Sequence, residues 1–462
     1  MTSYRALAHN RDFTALWIGQ TVSELGSQVS MFVFPLVAYA TTGSALHAAA
    51  AEALFLGGMA AALLPAGVLA DRVDRRRVMR TASAAGVLLY ASLALAGAAG
   101  TMTLPHLLAV ALLTGVAAGV FSPAEMAAVR AVVRPEDLPT ALSQNQARQH
   151  VAHLVGAPLG GVLFSTTRWL PFAADAVSFA LSWVLLGRIR SDLRPPAYDG
   201  PQRRVLRDLG AGVGFIARHP FFRVLTAWAA LSNLVVNALF FLAVLRLIEA
   251  GHPPLAIALV STAGGVCGIL GAIAAPWLIE RLPTGRLTVV VAWSFVPLSV
   301  PMVFLNHPAV VAVAVSVGIF LNPAGNAGIQ SYRISITPPE LLGRTQSAAQ
   351  FLSMSVMPLA PVVAGLTLSA WGGPAATATI TALCALVALV PTSSRAVRSV
   401  PRPAQWASQD ASRREHPRRP PRSSTTVPWQ RSRMPSTLVR PAVGSPGEEP
   451  GDVGHGLAEL RR

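Results

Sequence analysis

Residues 67–77 read GVLADRVDRRR, and from Asp71 to Arg77 only Val73 is uncharged. On both sides of this knot the chain is almost free of charge for about 20 residues, roughly what a helix needs to cross the hydrocarbon of a bilayer. A dense polar knot between two such runs is the pattern of a short aqueous loop joining two membrane spans.

The composition agrees. Of 462 residues, 52% are hydrophobic and 13% charged, and the mean hydropathy is +0.50. Soluble domains carry about 25% charged residues, so this chain has too little polar surface to cover its apolar residues in water. All 37 basic residues are arginine, and the net charge is +16. The arginines sit between apolar runs, which argues for membrane topology and against a nucleic-acid partner. Cys267 and Cys384 each lie inside an apolar run without metal-ligand spacing, so they read as buried hydrophobes and no metal site is expected. The leader MTSYRALAHNRDF lacks a short apolar core with a cleavage site and reads as a retained lead into the first helix.

Apolar stretches recur at 13–40, 46–69, 79–100, 104–128, 142–165, 170–187, 221–248, 255–279, 287–305, 308–331, 346–370 and 373–391, which predicts about twelve transmembrane helices. With the N-terminus inside, the inner loops collect the 72–80 cluster, Arg130, Arg134, Arg148, the arginines of 188–223, Arg281, Arg286, Arg333 and Arg344. The outer loops keep little beyond Arg168 and Arg246. The positive-inside rule then places both termini in the cytoplasm of a multi-pass plasma-membrane protein.

The fold class is therefore all-α integral membrane. Residues 1–187 read as an N-terminal six-helix bundle and 221–391 as a C-terminal one. Residues 188–220 form a cytoplasmic central loop, in which VLRDLGAGVGFI has the pattern of an amphipathic surface helix. Residues 392–462 are rich in Pro, Arg and Ser, lack periodicity, and are expected to form a disordered cytoplasmic tail.

The two halves repeat each other. A shift of 209 residues carries Phe13, Leu16, Ser23, Glu24 and Gln28 onto Phe222, Leu225, Ser232, Asn233 and Asn237. It also carries Asp71, Arg72 and Arg77 onto Glu280, Arg281 and Arg286, so the knot has a diluted echo in LIERLPTGR. Further on, GVFSPA (119–124) parallels GIFLNPA (318–324).

On these residues the sequence resembles the major facilitator superfamily, whose halves are parallel repeats related by an axis along the membrane normal. Gly67, Leu69, Ala70, Asp71, Arg72, Arg75 and Arg76 match its signature loop between the second and third helices, with Asp74 replacing the usual second glycine. NRDFTALWIGQTVSELGSQ (10–28), SPAEMAAV (122–129), PEDLPTALSQNQ (135–146), GAPLGGVLF (156–164) and DAVSFALS (175–182) are similar to the bacterial drug-exporter branch of macrolide-efflux and enterobactin-exporter-like proteins. The similarity covers about residues 5–392. It implies that Asp71 meets the N-terminal end of helix eleven, near Gly343 to Gln346, while the cytoplasmic gate is shut. Arg75 would then pair with Glu125 low in helix four, and Glu280 with Arg281 would form the echo of the gate. GAPLGGVLF resembles a shortened antiporter motif, in which Pro158 kinks span five while Gly160 and Gly161 permit close packing.

Carboxylates inside a membrane span are costly and usually functional, so Glu24, Asp175 and Glu52 are the proton-coupling candidates, with Glu24 first. Gln20, Glu24 and Gln28 share one face of span one. Asn233 with Asn237 and Asn322 with Asn326 form similar stripes on spans seven and ten, and the five amides Gln20, Gln28, Asn233, Asn237 and Asn322, together with Asn326, are the candidate lining of a wet substrate cavity. Span four lacks the central arginine that many proton-coupled drug exporters carry.

No Walker loop, zinc-protease helix or phosphate-cradling glycine motif stands out. No enzymatic activity and no cofactor are expected, and a gradient or a partner subunit supplies the energy. The resemblance implies proton-coupled efflux of hydrophobic or amphipathic small molecules by a monomer in the lipid bilayer. Two other readings fit: a solute:proton symporter on the same fold, and a non-transporting sensor or scaffold using the tail as an arm.

Overall fold

The computed structural model describes residues 7–194 and 205–406; within its helices, the side chains at 64, 67, 68, 70, 71, 205–209, 339, 340 and 404 also lie outside that description. The knot shows how local chemistry sets the elements. Helix α1 (Arg11–Thr42) starts at Asn10, whose side chain accepts from the N–H groups of Asp12 and Phe13, and stops at Gly43, where φ is 65°. Helix α2 (Ala45–Arg72) ends in the knot, and α3 (Arg75–Ala98) begins there. Between them Asp74 accepts from the N–H of Arg76 at 2.9 Å. The departure from the signature glycine is thus a helix N-cap.

The chain continues through α4 (Leu104–Val132), α5 (Leu138–Thr166) and α6 (Leu170–Arg188), then the short α7 (Val205–Arg218). The second set comprises α8 (Pro220–Glu249), α9 (Pro254–Arg281), α10 (Thr284–Phe304), α11 (Pro308–Phe320), α12 (Asn322–Ile336), α13 (Pro339–Met354) and α14 (Leu359–Ser393). Helix α7 coincides with the expected amphipathic segment.

Among the described residues, ten segments are long and apolar enough to cross a membrane. One of them, Leu341–Ser393, is two crossings, because Gly372 (φ 75°, ψ 168°) turns the chain in the middle of α14. Helix α5 is the remaining crossing; its polar first half, SQNQARQH, lowers its hydropathy. Together these make the twelve spans of the sequence reading. The tenth span is broken into α11 and α12 at Leu321. GIFLNPA has one residue more than GVFSPA, and Pro323 cannot donate to the turn before it, so the helix restarts at Asn322, whereas α4 runs through Pro123 unbroken.

Helices α1 to α6 pack chiefly on one another, and so do α8 to α14. A ring of apolar side chains faces outward, among them Leu88, Leu95, Ile273 and Phe304, which are 71–80% exposed. Such a surface suits lipid, not water. Arg80 stacks over Trp183 at 4.3 Å and Arg281 over Trp277 at 4.6 Å, in both sets near the knot end, as side chains do at a membrane–water boundary.

The two sets meet at the end opposite the knot. Gly161 of α5 lies against Pro254 and Leu255 of α9, where a Cβ would sit 3.1 Å from the Leu255 Cα. Gly365 of α14 lies against Ala45, Leu46 and Ala49 of α2. Deeper in, Thr262 Oγ1 donates to the Leu154 carbonyl at 3.4 Å.

Order continues past the expected start of the tail. Residues 394–406 form a strap, with Val397 and Val400 buried and Trp406 against Tyr332 at 5.4 Å. The Gly285 N–H donates to Val400 O at 3.1 Å. Ala396, Val397, Val400 and Trp406 dock it beside α8, α12 and α13. The remaining tail, 407–462, lies outside the described residues.

Candidate functional site

Between the two sets lies a cavity of about 490 Å³. Its walls are largely apolar, with Met31 of α1, Phe240 of α8 and Met357 beside α14. Four polar side chains interrupt them: Glu52 of α2, His153 of α5, Asn237 of α8 and Ser261 of α9. Glu52 is half-buried and makes no hydrogen bond or ion pair with another described residue. Because Glu52 is two turns from the start of α2, it sits just beneath the closure at Ala45 to Ala49.

Of the six amides expected to line a cavity, Asn237 lines this one. Its Nδ2 donates to the Asn233 carbonyl at 2.7 Å, and Asn233 in turn donates to Ser353 O at 3.0 Å. Gln20 is buried and donates to Ser182 of α6 at 3.1 Å. Gln28 donates to Glu24 at 3.0 Å. Asn326 donates to Asn322 at 2.9 Å, at the break between α11 and α12. Helical periodicity identifies a shared face, but the neighbouring helix decides whether that face meets protein or cavity.

A buried charge cluster stands beside the cavity. Arg148 of α5, with its side chain 1% exposed, donates to Glu125 of α4 at 2.7 Å. Its Nε and Nη1 are buried without a partner. Glu125, the expected partner of Arg75 in the shut cytoplasmic gate, is held here by Arg148. Arg148 had the look of an inner-loop cation, yet it supplies the buried guanidinium that span four lacks. Arg246 likewise is not an outer-loop charge. It is buried, donates to the Met302 carbonyl, and donates to Thr377 Oγ1 at 2.7 Å.

Asp175 is fully buried in α6. Ser30 of α1 donates to its Oδ2 at 2.7 Å and Ser178 to its Oδ1 at 2.8 Å. It cross-links α1 and α6 rather than facing the cavity.

At the knot, Arg72 and Glu280 are exposed, and Arg75 donates through its backbone N–H to Leu193 O at 3.3 Å. Arg76 donates to Ser191 O at 2.6 Å. The Gly67 and Asp71 positions lie on α2, outside the described side chains. Gly343, expected near the seat of Asp71, faces open space. The Gly160 and Gly161 pair packs in two directions, Gly160 toward Val29 of α1 and Gly161 toward α9, with Pro158 inside an α5 that runs on as one helix.

The model of the Major Facilitator Superfamily matches residues 16–360. The chain belongs to that superfamily, and it is a multi-pass membrane transporter rather than an enzyme. Among curated proteins nothing matches. Among solved structures, a bacterial homologue of the iron transporter ferroportin in an inward-facing state is 19% identical with a TM-score of 0.61, covering 82% of this chain and 97% of that one. The nucleoside transporter NupG is 10% identical with a TM-score of 0.62, covering 82% and 98%. A D-xylose-proton symporter is 13% identical with a TM-score of 0.56, covering 82% and 97%. At these identities the likeness is one of fold.

Proposed function

We propose that the chain is a proton-coupled exporter of hydrophobic or amphipathic small molecules, on the drug-exporter branch of its superfamily. The observation that carries this reading is the cavity between the two helix sets, apolar on most sides and bearing one unpaired carboxylate, Glu52. An ionised carboxylate without a partner in a low-dielectric site is costly. A proton or a cationic group of the cargo relieves that cost, so either one displaces the other. Glu52 therefore takes the coupling role ahead of Glu24, which is already bonded to Gln28.

Orientation follows from arginine bias: the knot end is cytoplasmic, and so are both termini. The closed end then faces outward, and the cavity loads from the cytoplasm of a plasma-membrane protein. Residues 1–187 and 221–391 act as the two rocking bodies of a monomer. Asp71, Gly67, Arg72 and the echo at Glu280 and Arg281 latch the cytoplasmic side in the opposite state.

The test uses inside-out vesicles holding an acid interior, with a pH-sensitive dye and a panel of macrolides, siderophores and lipophilic dyes. Proton release on adding a compound, lost in Glu52→Gln and kept in Glu24→Gln, supports the reading. Loss in Glu24→Gln alone returns the coupling role to Glu24. Uptake driven by an inward proton gradient would favour the symporter reading, which the fold shared with a D-xylose-proton symporter keeps in view.

A further inference from the structure

At the knot end, α1, α3 and α6 bring their ends together around a groove of about 870 Å³. Four arginines line it: Arg11 from α1, Arg76 from α3, and Arg188 and Arg190 from the end of α6. The one acid there is Asp12, and its oxygens are already used. Oδ1 accepts from the Arg190 N–H at 3.0 Å, and Oδ2 accepts from the Ser191 N–H at 2.7 Å and from the Ser191 hydroxyl. The side chains of Arg11, Arg188 and Arg190 are exposed and make no hydrogen bond or ion pair with another described residue. Arg76 spends one Nη2 bond on Ser191 O, while its Nε is buried without a partner.

The groove does not end in water on every side. Its inner wall holds Ile18, 43% exposed, and Leu185. Beyond it along α6 lie Leu181 and Val184, 41% and 43% exposed, and Trp183 under Arg80. A cationic mouth thus runs into an apolar helix face at the level where a bilayer passes from headgroups to chains. Topology alone asks for arginines at this end. It does not ask that the ends of three helices hold them around one groove whose only carboxylate is engaged by the backbone.

We propose that this groove binds an anionic glycerophospholipid, with the phosphate and headgroup among Arg11, Arg188 and Arg190 and an acyl chain along Ile18 and Leu185. The lipid joins α1 to α6, and Arg76 brings α3, and with it the knot, to the same headgroup. The proposal is independent of cargo and of coupling ion.

The full-length chain in mild detergent is mixed with equal amounts of phosphatidylglycerol and phosphatidylcholine of the same chains, and the bound lipid is counted by native mass spectrometry. Phosphatidylglycerol is expected to be retained at least tenfold over phosphatidylcholine. Arg11→Gln, Arg188→Gln and Arg190→Gln each reduce that preference about fivefold, as an arginine beside a charged lipid surface does. A double variant of exposed arginines elsewhere at the same end, Arg223→Gln with Arg286→Gln, leaves it unchanged. Equal retention of the two lipids overturns the proposal. So does an equal loss in the groove variants and the Arg223/Arg286 control, which would mean general surface charge. Complete displacement by millimolar inorganic phosphate also overturns it, because the acyl chain would then contribute nothing.

Discussion

Arg148 and Glu125 form an ion pair at 2.7 Å between α5 and α4, with the arginine side chain almost wholly removed from solvent. The pair brings the buried guanidinium next to the helix that carries Glu24.

Removing one partner strands the other. Arg148→Leu should lower stability by about 3–5 kcal/mol, and the double variant Arg148→Leu with Glu125→Leu should recover most of that loss. Thermal unfolding followed by size-exclusion chromatography in detergent separates the two. A double variant no more stable than the single one would show that the pair is not the source of the loss.

Closure at the far end depends on contact without side chains. Gly161→Leu should wedge α5 from α9, since a Cβ there already meets the Leu255 Cα at 3.1 Å. Spin labels on the far ends of α5 and α9 should report a longer distance in a larger fraction of molecules, with slower transport. An unchanged distance distribution would mean that the two sets do not pivot at this contact.

The amides divide into two kinds. Asn237→Ala, in the cavity wall, should weaken apparent affinity for a transported compound about fivefold, from loss of a hydrogen bond of roughly 1 kcal/mol. Gln20→Ala, between α1 and α6, should leave affinity alone and cost about 1 kcal/mol of stability. Transport kinetics and melting curves on both variants check the assignment, and a reversed pattern would refute it.

Asp175 is expected to tolerate Asn and not Leu. The amide keeps an acceptor for Ser30 or Ser178 and offers its N–H₂ to the other hydroxyl oxygen. Leucine takes away the acceptor of the buried Ser30 hydroxyl, at about 1–3 kcal/mol, while Ser178 keeps its bond to the backbone carbonyl of residue 175. Purified yield and melting temperature decide this, whatever the transport activity.

The architecture was legible because membrane spans announce themselves by length and by the charges that stop them. Asp71 to Arg77, the α7 segment and the offset between the halves all rest on signals local to a few dozen residues. The site was less legible. Gln20 and Asn237 share a residue class and a helical period, yet one is covered by α6 and the other faces the cavity. Arg148 falls ten residues into α5, close enough to a loop that charge bias alone assigns it to the inner surface. Its partner Glu125 belongs to another helix, and no spacing within one span reveals that pairing. Glu52 ranks behind Glu24 in the sequence, where nothing shows that a cavity reaches it two turns into α2.

The strap at 394–406 changes how the chain can be shortened. A cut after Ser393 would strip Val397, Val400 and Trp406 from the base of the second bundle and free the N–H of Gly285. Failure of such a truncation would then report damage to the transporter body and say nothing of the arm beyond it. A stop codon, protease site or fluorescent fusion belongs after Trp406, which keeps every docked side chain among the described residues.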